Sequence, residues 1–409
     1  MPAATIDGIE LVPPAPGRNL SPRAFTSPAV FEVEQRAIFA RSWVHVADAI
    51  DVAAPGAYVA ATIGCTPVLI VRGRDGVLRG FLNACRHRGT QLLDGHGTCD
   101  RQIKCPYHAW SYGHDGALLG VPYRDELPAD VATMGLVPVR VEACGPLVFG
   151  CLDDAAPPLA EWVGQLGAAF ASAGVASWLP AWQVSYELDA NWKLFVENAN
   201  DGYHIPFVHD ILTDILVQDS GVTTLEPHGA YTFADINPSY IPPENPMPAE
   251  QAKIRFGCIF PNLIPVVTPG DFTYIRVDPI AHDRLALHVR SYNPVETHDM
   301  RELRKLAFEH TTAQDLAVVR RTMQGLRAVG LPAGVHCSRL EERIGHFERT
   351  WVVEMSRELD REPCATAPAR DRDVIGGRLD VRRRPGPAPK RRSPLRQLPS
   401  PLRRGQLPR

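Results

Sequence analysis

The sequence predicts an α+β fold in two parts, a small all-β module followed by an antiparallel sheet with flanking helices. Three observations predict it. At 409 residues the chain is longer than one ordinary hydrophobic core supports. From about Val44 to Asp154 short β-type runs (AYVAATI, TPVLIVR, VLRGFLN, GPLVFGCL) are broken by Gly, Asp and Pro, with Arg74-Asp75-Gly76 marking a hairpin. Beyond Pro157, strand-like runs alternate with long helix-periodic stretches, and no repeat of about 20–50 residues is visible.

Taken in order, residues 1–43 read as an irregular entry and a helix over Pro28–Trp43, packing on the second part. Residues 44–155 form the all-β module and 156–362 the second domain. Within the second domain a helix is expected over Pro158–Ala173, a strand over Trp182–Leu188 and a helical region from Asn191. Strands follow at Ile254–Phe260, Leu263–Thr268, Thr273–Val277 and Arg284–Tyr292, then helices at Asp299–Arg327 and Arg339–Leu359. Residues 363–409 carry thirteen basic side chains, three acidic ones and nine prolines; that composition predicts a disordered tail.

The remaining bulk properties exclude several classes. A chain that is 45% hydrophobic and 22% charged has the composition of a soluble globular protein. No basic-then-apolar leader is read at the N-terminus, and the least polar stretch, Trp162–Leu179, is diluted by Gly, Ser and Gln. Nine scattered cysteines do not form a secreted disulfide framework, so reduced thiols in a cytoplasmic setting are expected. Prolines interrupt the basic tail and no nucleic-acid motif accompanies it, so neither a membrane nor a nucleic acid is expected as partner.

Two constellations carry chemistry. Cys85-x-His87 and Cys105-x-x-His108 are short ligand pairs separated by 17 residues. A [2Fe–2S] centre of mixed ligation needs two thiolates on one iron and two imidazoles on the other. A tetrahedral Cys₂His₂ zinc site uses the same donors but usually pairs Cys with Cys and His with His. Cys99 lies between the pairs and fits no ligand position, which leaves it a packing role.

The second constellation is Asn191-Trp-Lys-Leu-Phe-Val-Glu-Asn-Ala-Asn-Asp-Gly-Tyr-His-Ile-Pro-Phe-Val-His209. Iron that activates O₂ favours two His and one carboxylate on one face, with open positions left over. On a regular helix, five residues turn His204 and His209 about 140° apart. Pro206 between them is expected to disrupt the helix and supply the change of direction. By itself the spacing does not identify a metal site.

Together these motifs resemble the Rieske non-haem iron oxygenases, and specifically the large (alpha) subunits of the aromatic ring-hydroxylating family, over roughly Val30 to Glu358. Respiratory Rieske proteins place an additional cysteine in each cluster loop; the matching positions here are Thr90 and Tyr107. The resemblance implies a Rieske [2Fe–2S] domain inserted in a helix-grip-like catalytic domain. It assigns the cluster to Cys85, His87, Cys105 and His108, and a mononuclear Fe(2+) to His204 and His209.

It supplies the carboxylate as Asp315, in register with Gln324-Gly325-Leu326, with Glu309 and Glu302 as fallbacks. Asn198 is implied near the iron, and Asp201 as the acid bridging His204 and His108 of a neighbouring subunit.

The function implied is that of a terminal oxygenase using O₂ and electrons from a separate reductase or ferredoxin, ultimately from NAD(P)H. Its expected substrate is a small aromatic compound, mono- or dihydroxylated. Oxidation of a quaternary amine or methyl ether is the runner-up, and a pure electron-transfer Rieske protein is the reading from another class. A homotrimer, with or without a small β subunit, is implied by the same resemblance. The pocket wall is expected from Asn198–Phe207 and the strands between Phe256 and Tyr292.

Overall fold

The computed structural model describes residues 5–360 except 173, 211, 218–219, 238–252 and 295–297; the expected disordered tail, 363–409, lies outside the described residues. The chain opens with a hairpin, β1 (Thr5–Ile6) and β2 (Ile9–Glu10), followed by α1 (Arg23–Thr26) and α2 (Pro28–Ala37). Ser27 caps α2 by accepting from the Val30 amide, and Pro28 occupies the first turn, where its missing N–H is not needed. The helix stops at Ala37 rather than continuing to Trp43; Phe39–Arg41 form a 3₁₀ turn. Ile38, Phe39 and Trp43 are buried all the same. Their periodicity reported burial, which outlasts the helix.

The first sheet system comprises β3 (Val44–Asp48), β4 (Ala57–Ile63), β5 (Thr66–Arg72), β6 (Leu78–Leu82), β7 (His96–Thr98), β8 (Ile103–Lys104), β9 (Ser111–Tyr112), β10 (Leu118–Gly120), β11 (Pro138–Cys144) and β12 (Leu147–Cys151). Seven of these strands pair in the order β3-β12-β11-β6-β5-β4-β7, and β10-β9-β8 form a small separate sheet. The Arg74-Asp75-Gly76 turn joins β5 to β6, with Asp75 accepting from the Val77 amide. Beneath the loops after β6 and β8, Leu69, Phe81, Leu92, Ile103, Trp110 and Tyr112 form a separate small core.

The second sheet follows α3 (Leu159–Ser172). Its strands are β13 (Leu179–Leu188), β14 (Val222–Glu226), β15 (Gly229–Asp235), β16 (Lys253–Ile259), β17 (Leu263–Thr268), β18 (Asp271–Ala281) and β19 (Arg284–Asn293). They pair antiparallel throughout in the order β13-β19-β18-β17-β16-β15-β14. Between β13 and β14 run α4 (Trp192–Asn200), α5 (Ile205–Val208) and α6 (Leu212–Ile215); α7 (His298–Leu326) and α8 (Glu342–Leu359) close the domain. This is the α+β architecture expected.

Strands β14 and β15 were not anticipated; β14 is an edge strand without a buried residue and shows no clean alternation, whereas β15 alternates in burial and was overlooked. Helix α3 is kinked at Gly164, whose φ of 52° favours glycine; a Cβ there would also stand 2.4 Å from the Glu226 carboxylate.

The two sheets are joined by a buried polar knot. Asp48, on β3, accepts from Tyr274 Oη at 2.9 Å and from Arg290 Nη1 at 2.6 Å, both on the large sheet, while His45 Nε2 lies 3.1 Å from its other oxygen. Burial alone would push the Asp48 carboxyl up; the His45 hydrogen bond, the charges of His45 and Arg290 and the Tyr274 hydroxyl outweigh it and hold it at about 2. A depressed carboxyl stabilises the fold above its ordinary value near 3.8 and loses that contribution as pH falls to about 2. We therefore expect Asp48 to account for about 2 kcal/mol of acid destabilisation between pH 4 and 2. Thermal unfolding of the native chain and of Asp48→Asn across that window checks it: the variant should start less stable and show a flatter pH dependence.

Candidate metal centres and the adjoining chamber

The first pair of loops is built twice on one plan. The Cys85 amide donates to Thr90 O at 2.8 Å, and Gly89 donates back to Cys85 O; the Cys105 amide donates to Trp110 O at 2.8 Å, and Ala109 donates back to Cys105 O. Gly89 and Ala109, at equivalent positions, have φ of 73° and 58°. Each loop therefore buries its cysteine, 3% exposed in both cases, while His87 is exposed and His108 half-buried. The His87 and His108 rings approach edge-on, with centroids 4.7 Å apart, and His87 stacks on Trp110.

Four features of these loops bear on a cluster. Burial pushes the Cys85 thiol up; the Tyr112 hydroxyl at 3.2 Å counters this, and the nearby Cys105 adds to it. Nδ1 of His108 is buried without a hydrogen-bond partner. Two sulfurs lie inside and two imidazoles outside. Finally, among the described residues the only group of three or more His, Cys or carboxylate donors that converges within 4.8 Å is His204, His209 and Asp315, so the Cys₂His₂ set does not close on a single tetrahedral ion. These residues fit a two-iron cluster with split ligation. Cys99 stands apart, its Sγ 3.4 Å from Gly56 O and 3.5 Å from His114 Nε2.

At the second centre the expected role of Pro206 is corrected. Helix α4 already ends at Asp201, whose backbone is extended, and Pro206 lies in the first turn of the one-turn helix α5. His204 and His209 are the two caps of α5, and this short turn, rather than a broken long helix, brings them together. Their Nε2 atoms are 3.0 Å apart, and Asp315 Oδ1, from α7, lies 3.4 Å from the first and 3.1 Å from the second. Cis donors on an ion with bonds near 2.1 Å are about 3.0 Å apart, so the triangle is of metal-binding size. Glu309 instead lies 4.0 Å from Lys305, and Glu302 is exposed.

The electrostatics of the triangle favour a cation. Burial works against charge on His204, but Asp201 and Asp315 outweigh it and raise the imidazole to about 9; His209 is raised as well. Asp315 is held below its ordinary range despite burial, through His204, His209 and Asn198. Asn198 Nδ2 donates to Asp315 Oδ1 at 2.8 Å. Asp201 Oδ1 accepts from the Tyr203 and His204 amides, and its Oδ2 lies 3.0 Å from His204 Nδ1, a close charge contact outside hydrogen-bond alignment.

One residue of this centre was missed in the sequence. His209 Nδ1 donates to Gln314 Oε1 at 3.0 Å, which leaves Nε2 as the free donor pair facing Asp315. Gln314 Nε2 lies 3.4 Å from Asp210 Oδ1, itself 3.1 Å from His310 Nε2. Gln314 immediately precedes Asp315 on α7, and no local pattern distinguishes it.

The triangle borders a cavity of about 330 Å³ lined mainly by apolar side chains, among them Trp182, Phe256, Ile264, Val266, Ile275 and Phe308, with Asp271, Thr273, Arg304 and Thr312 also on its wall. Asn198, Ala199, Asp201, His204 and Ile205 contribute from the expected wall; α6 and α7 complete it, which the sequence did not indicate.

Two sheets, a split Cys/His cluster site and a two-His-one-carboxylate triangle define an iron–sulfur protein with a separate mononuclear metal centre. Comparison with known proteins agrees. The Rieske [2Fe-2S] domain family matches residues 42–134 and the ring hydroxylating alpha subunit catalytic domain matches 175–357. The carnitine monooxygenase oxygenase subunit of Acinetobacter pittii is 30% identical over 327 residues, spanning 75% of this chain and 84% of the relative. The large oxygenase component of a Burkholderia 2,4-dinitrotoluene dioxygenase system is 37% identical over 189 residues, 44% of this chain and 42% of the relative.

A quaternary ammonium Rieske monooxygenase structure superposes with TM-score 0.75 at 26% identity, over 83% of this chain and 96% of that one. A naphthalene 1,2-dioxygenase structure, 21% identical with TM-score 0.69 over 83% and 92%, shares the fold. The chain belongs to the Rieske non-haem iron oxygenase large-subunit family. It is the terminal oxygenase component of such a system, an oxidoreductase with a [2Fe–2S] cluster and a mononuclear iron, supplied by a separate electron donor and acting as an oligomer. Among the described residues no helix is long and apolar enough to cross a membrane.

Gln314→Leu should free the His209 ring and weaken mononuclear iron binding by about ten- to a hundred-fold while leaving the cluster spectrum unchanged. Chelator competition followed by iron analysis measures this.

Proposed function

We propose that Cys85, His87, Cys105 and His108 hold the cluster, that His204, His209 and Asp315 hold the iron, and that the apolar chamber receives a small organic substrate for hydroxylation. The observation that carries the reading is the donor triangle of 3.0, 3.1 and 3.4 Å opening on that chamber. A purely electron-transferring Rieske protein has no use for it. Bound there, the two iron centres would supply one-electron relay and O₂ activation.

The chain's own residues then have distinct tasks. Gln314 and Asp201 orient the two imidazoles, and Asn198 fixes the Asp315 oxygen that faces them. Aliphatic and aromatic walls hold the substrate and keep water from the reacting face. Residues 44–155 serve as the cluster domain and 156–362 as the catalytic domain, with 1–43 packing on the latter.

Asp201 is the bridge to a neighbouring subunit's cluster in a homotrimer, with or without a small subunit. Exposed aromatics support this: Tyr203 and Phe207 flank the Asp201–His204 turn, and Tyr107 covers His108 at the cluster tip. The electron donor is a separate NAD(P)H-dependent reductase or ferredoxin, and the setting is cytoplasmic.

The apolar lining supports an aromatic substrate. A quaternary amine is the second reading. It is favoured by the similarity to a carnitine monooxygenase along 84% of that protein, and Trp182, Phe256 and Phe308 provide aromatic faces for a cation.

Asp315→Ala should lower the iron content from about three to about two per chain with an intact cluster spectrum; full retention of iron and activity would exclude the assignment. Asp201→Asn should keep all the iron yet slow turnover at least about ten-fold when electrons are supplied by a surrogate reductase.

A further inference from the structure

A second cavity, of about 470 Å³, adjoins the chamber at the iron site. Ile205, Leu216 and Phe256 line both. The second cavity is also lined by Arg343, near the start of α8 and only 4% exposed. Its guanidinium lies over the Phe256 ring, 4.5 Å from the centroid, and Nη1 donates to Phe256 O at 3.1 Å. That carbonyl is its one acceptor among the described residues, and none of their carboxylates lies within ion-pair distance of it.

The charged groups nearby do not satisfy it. Burial lowers Arg343 to about 10, so it stays cationic near neutrality; Cys258 and Asp201 are the groups whose field reaches it. Burial pushes the Cys258 thiol up to about 12, leaving it neutral, and Asp201 is engaged with His204 and two amides. Arg339 and Glu342, both exposed, also line the cavity. The threonine hydroxyls are already used: Thr213 donates to Ile205 O and His209 O, and Thr223 and Thr232 pair with each other. A buried cation without a counter-charge is a costly arrangement, and a planar guanidinium with spare donors matches a carboxylate.

We propose that this second cavity is a carboxylate subsite, in which Arg343 receives the acid group of a substrate whose apolar part occupies the chamber at the iron. The proposal rests on reading that chamber as the active site, and it narrows the substrate class to organic acids.

The test uses the full chain loaded with both metals and the probes benzoate, benzamide and acetate, with binding followed by calorimetry. Benzoate should bind at least about ten-fold more tightly than its neutral isostere benzamide. Arg343→Gln should abolish that preference and Arg343→Lys retain part of it, with the cluster spectrum reporting on folding. Equal binding of the two probes to the native chain would overturn the proposal without recourse to any variant, as would an undiminished preference in a folded Arg343→Gln.

The ferrous–nitrosyl EPR signal separates the two sources of a carboxylate. Perturbation by benzoate but not acetate marks a substrate tail, and perturbation by neither marks a separate acid on the same guanidinium. In Asp315→Ala the benzoate preference should persist after the iron is lost. Loss of the preference there, with Arg343 intact, would overturn the subsite, whereas retention of iron in that variant would count only against the iron assignment.

Discussion

The Glu34 carboxylate is the constraint on which the rest of the catalytic half depends. Fully buried on α2, it accepts from Lys193 Nζ, from Trp192 Nε1 at 2.8 Å and from Trp351 Nε1 at 2.8 Å. One acid thus ties the entry helix, α4 and α8 at a single point. Removing one member of such a buried pair strands a charge and costs about 3–5 kcal/mol. The tie matters for chemistry because α4 leads directly into Asp201, His204 and His209. A second buried acid, Glu348, accepts from the Leu20 amide and contacts His336 Nε2 at 2.9 Å, so the N-terminal segment is held to α8 twice.

From that anchor the donor triangle is assembled out of short, unlike pieces. α4 stops at Asp201, a one-turn helix sets both histidines, and α7 brings Asp315 from more than a hundred residues away. The resulting field draws a cation, since two carboxylates surround two imidazoles in a largely buried site. The partner of His209 is a neutral amide, Gln314, whereas His204 faces the Asp201 carboxylate. The two imidazoles are therefore supported differently, His209 by an aligned hydrogen bond and His204 by a facing charge. At the cluster loops the logic is different. A repeated backbone plan, not charge, decides which side chains face inward.

Much of this was legible in the residues. The cluster pairs, the His204–His209 motif and the order of the β-rich and helical parts are all local patterns, and local patterns survive in a linear string. Strands β16 to β19 alternate or are continuously apolar and were placed within a few residues. The misreadings share a cause: burial arises without the local pattern, or the pattern without the element. Trp43 continues a helical period after the helix has ended, β14 is too exposed at its edge to alternate, and Pro206 begins a turn that it was expected to break.

The sequence by itself determined the donor types, their pairing along the chain and the class of protein, because ligand chemistry is a property of side chains at short spacing. Only the tertiary structure decided how Asp315 meets the two histidines, at 3.4 and 3.1 Å, that Gln314 hydrogen-bonds one of them, and that Arg343 lies buried against Phe256 without a carboxylate partner among the described residues. Those are contacts between elements far apart in the chain. They depend on how helices pack on a sheet, and neither periodicity nor composition encodes that packing at the level of single atoms.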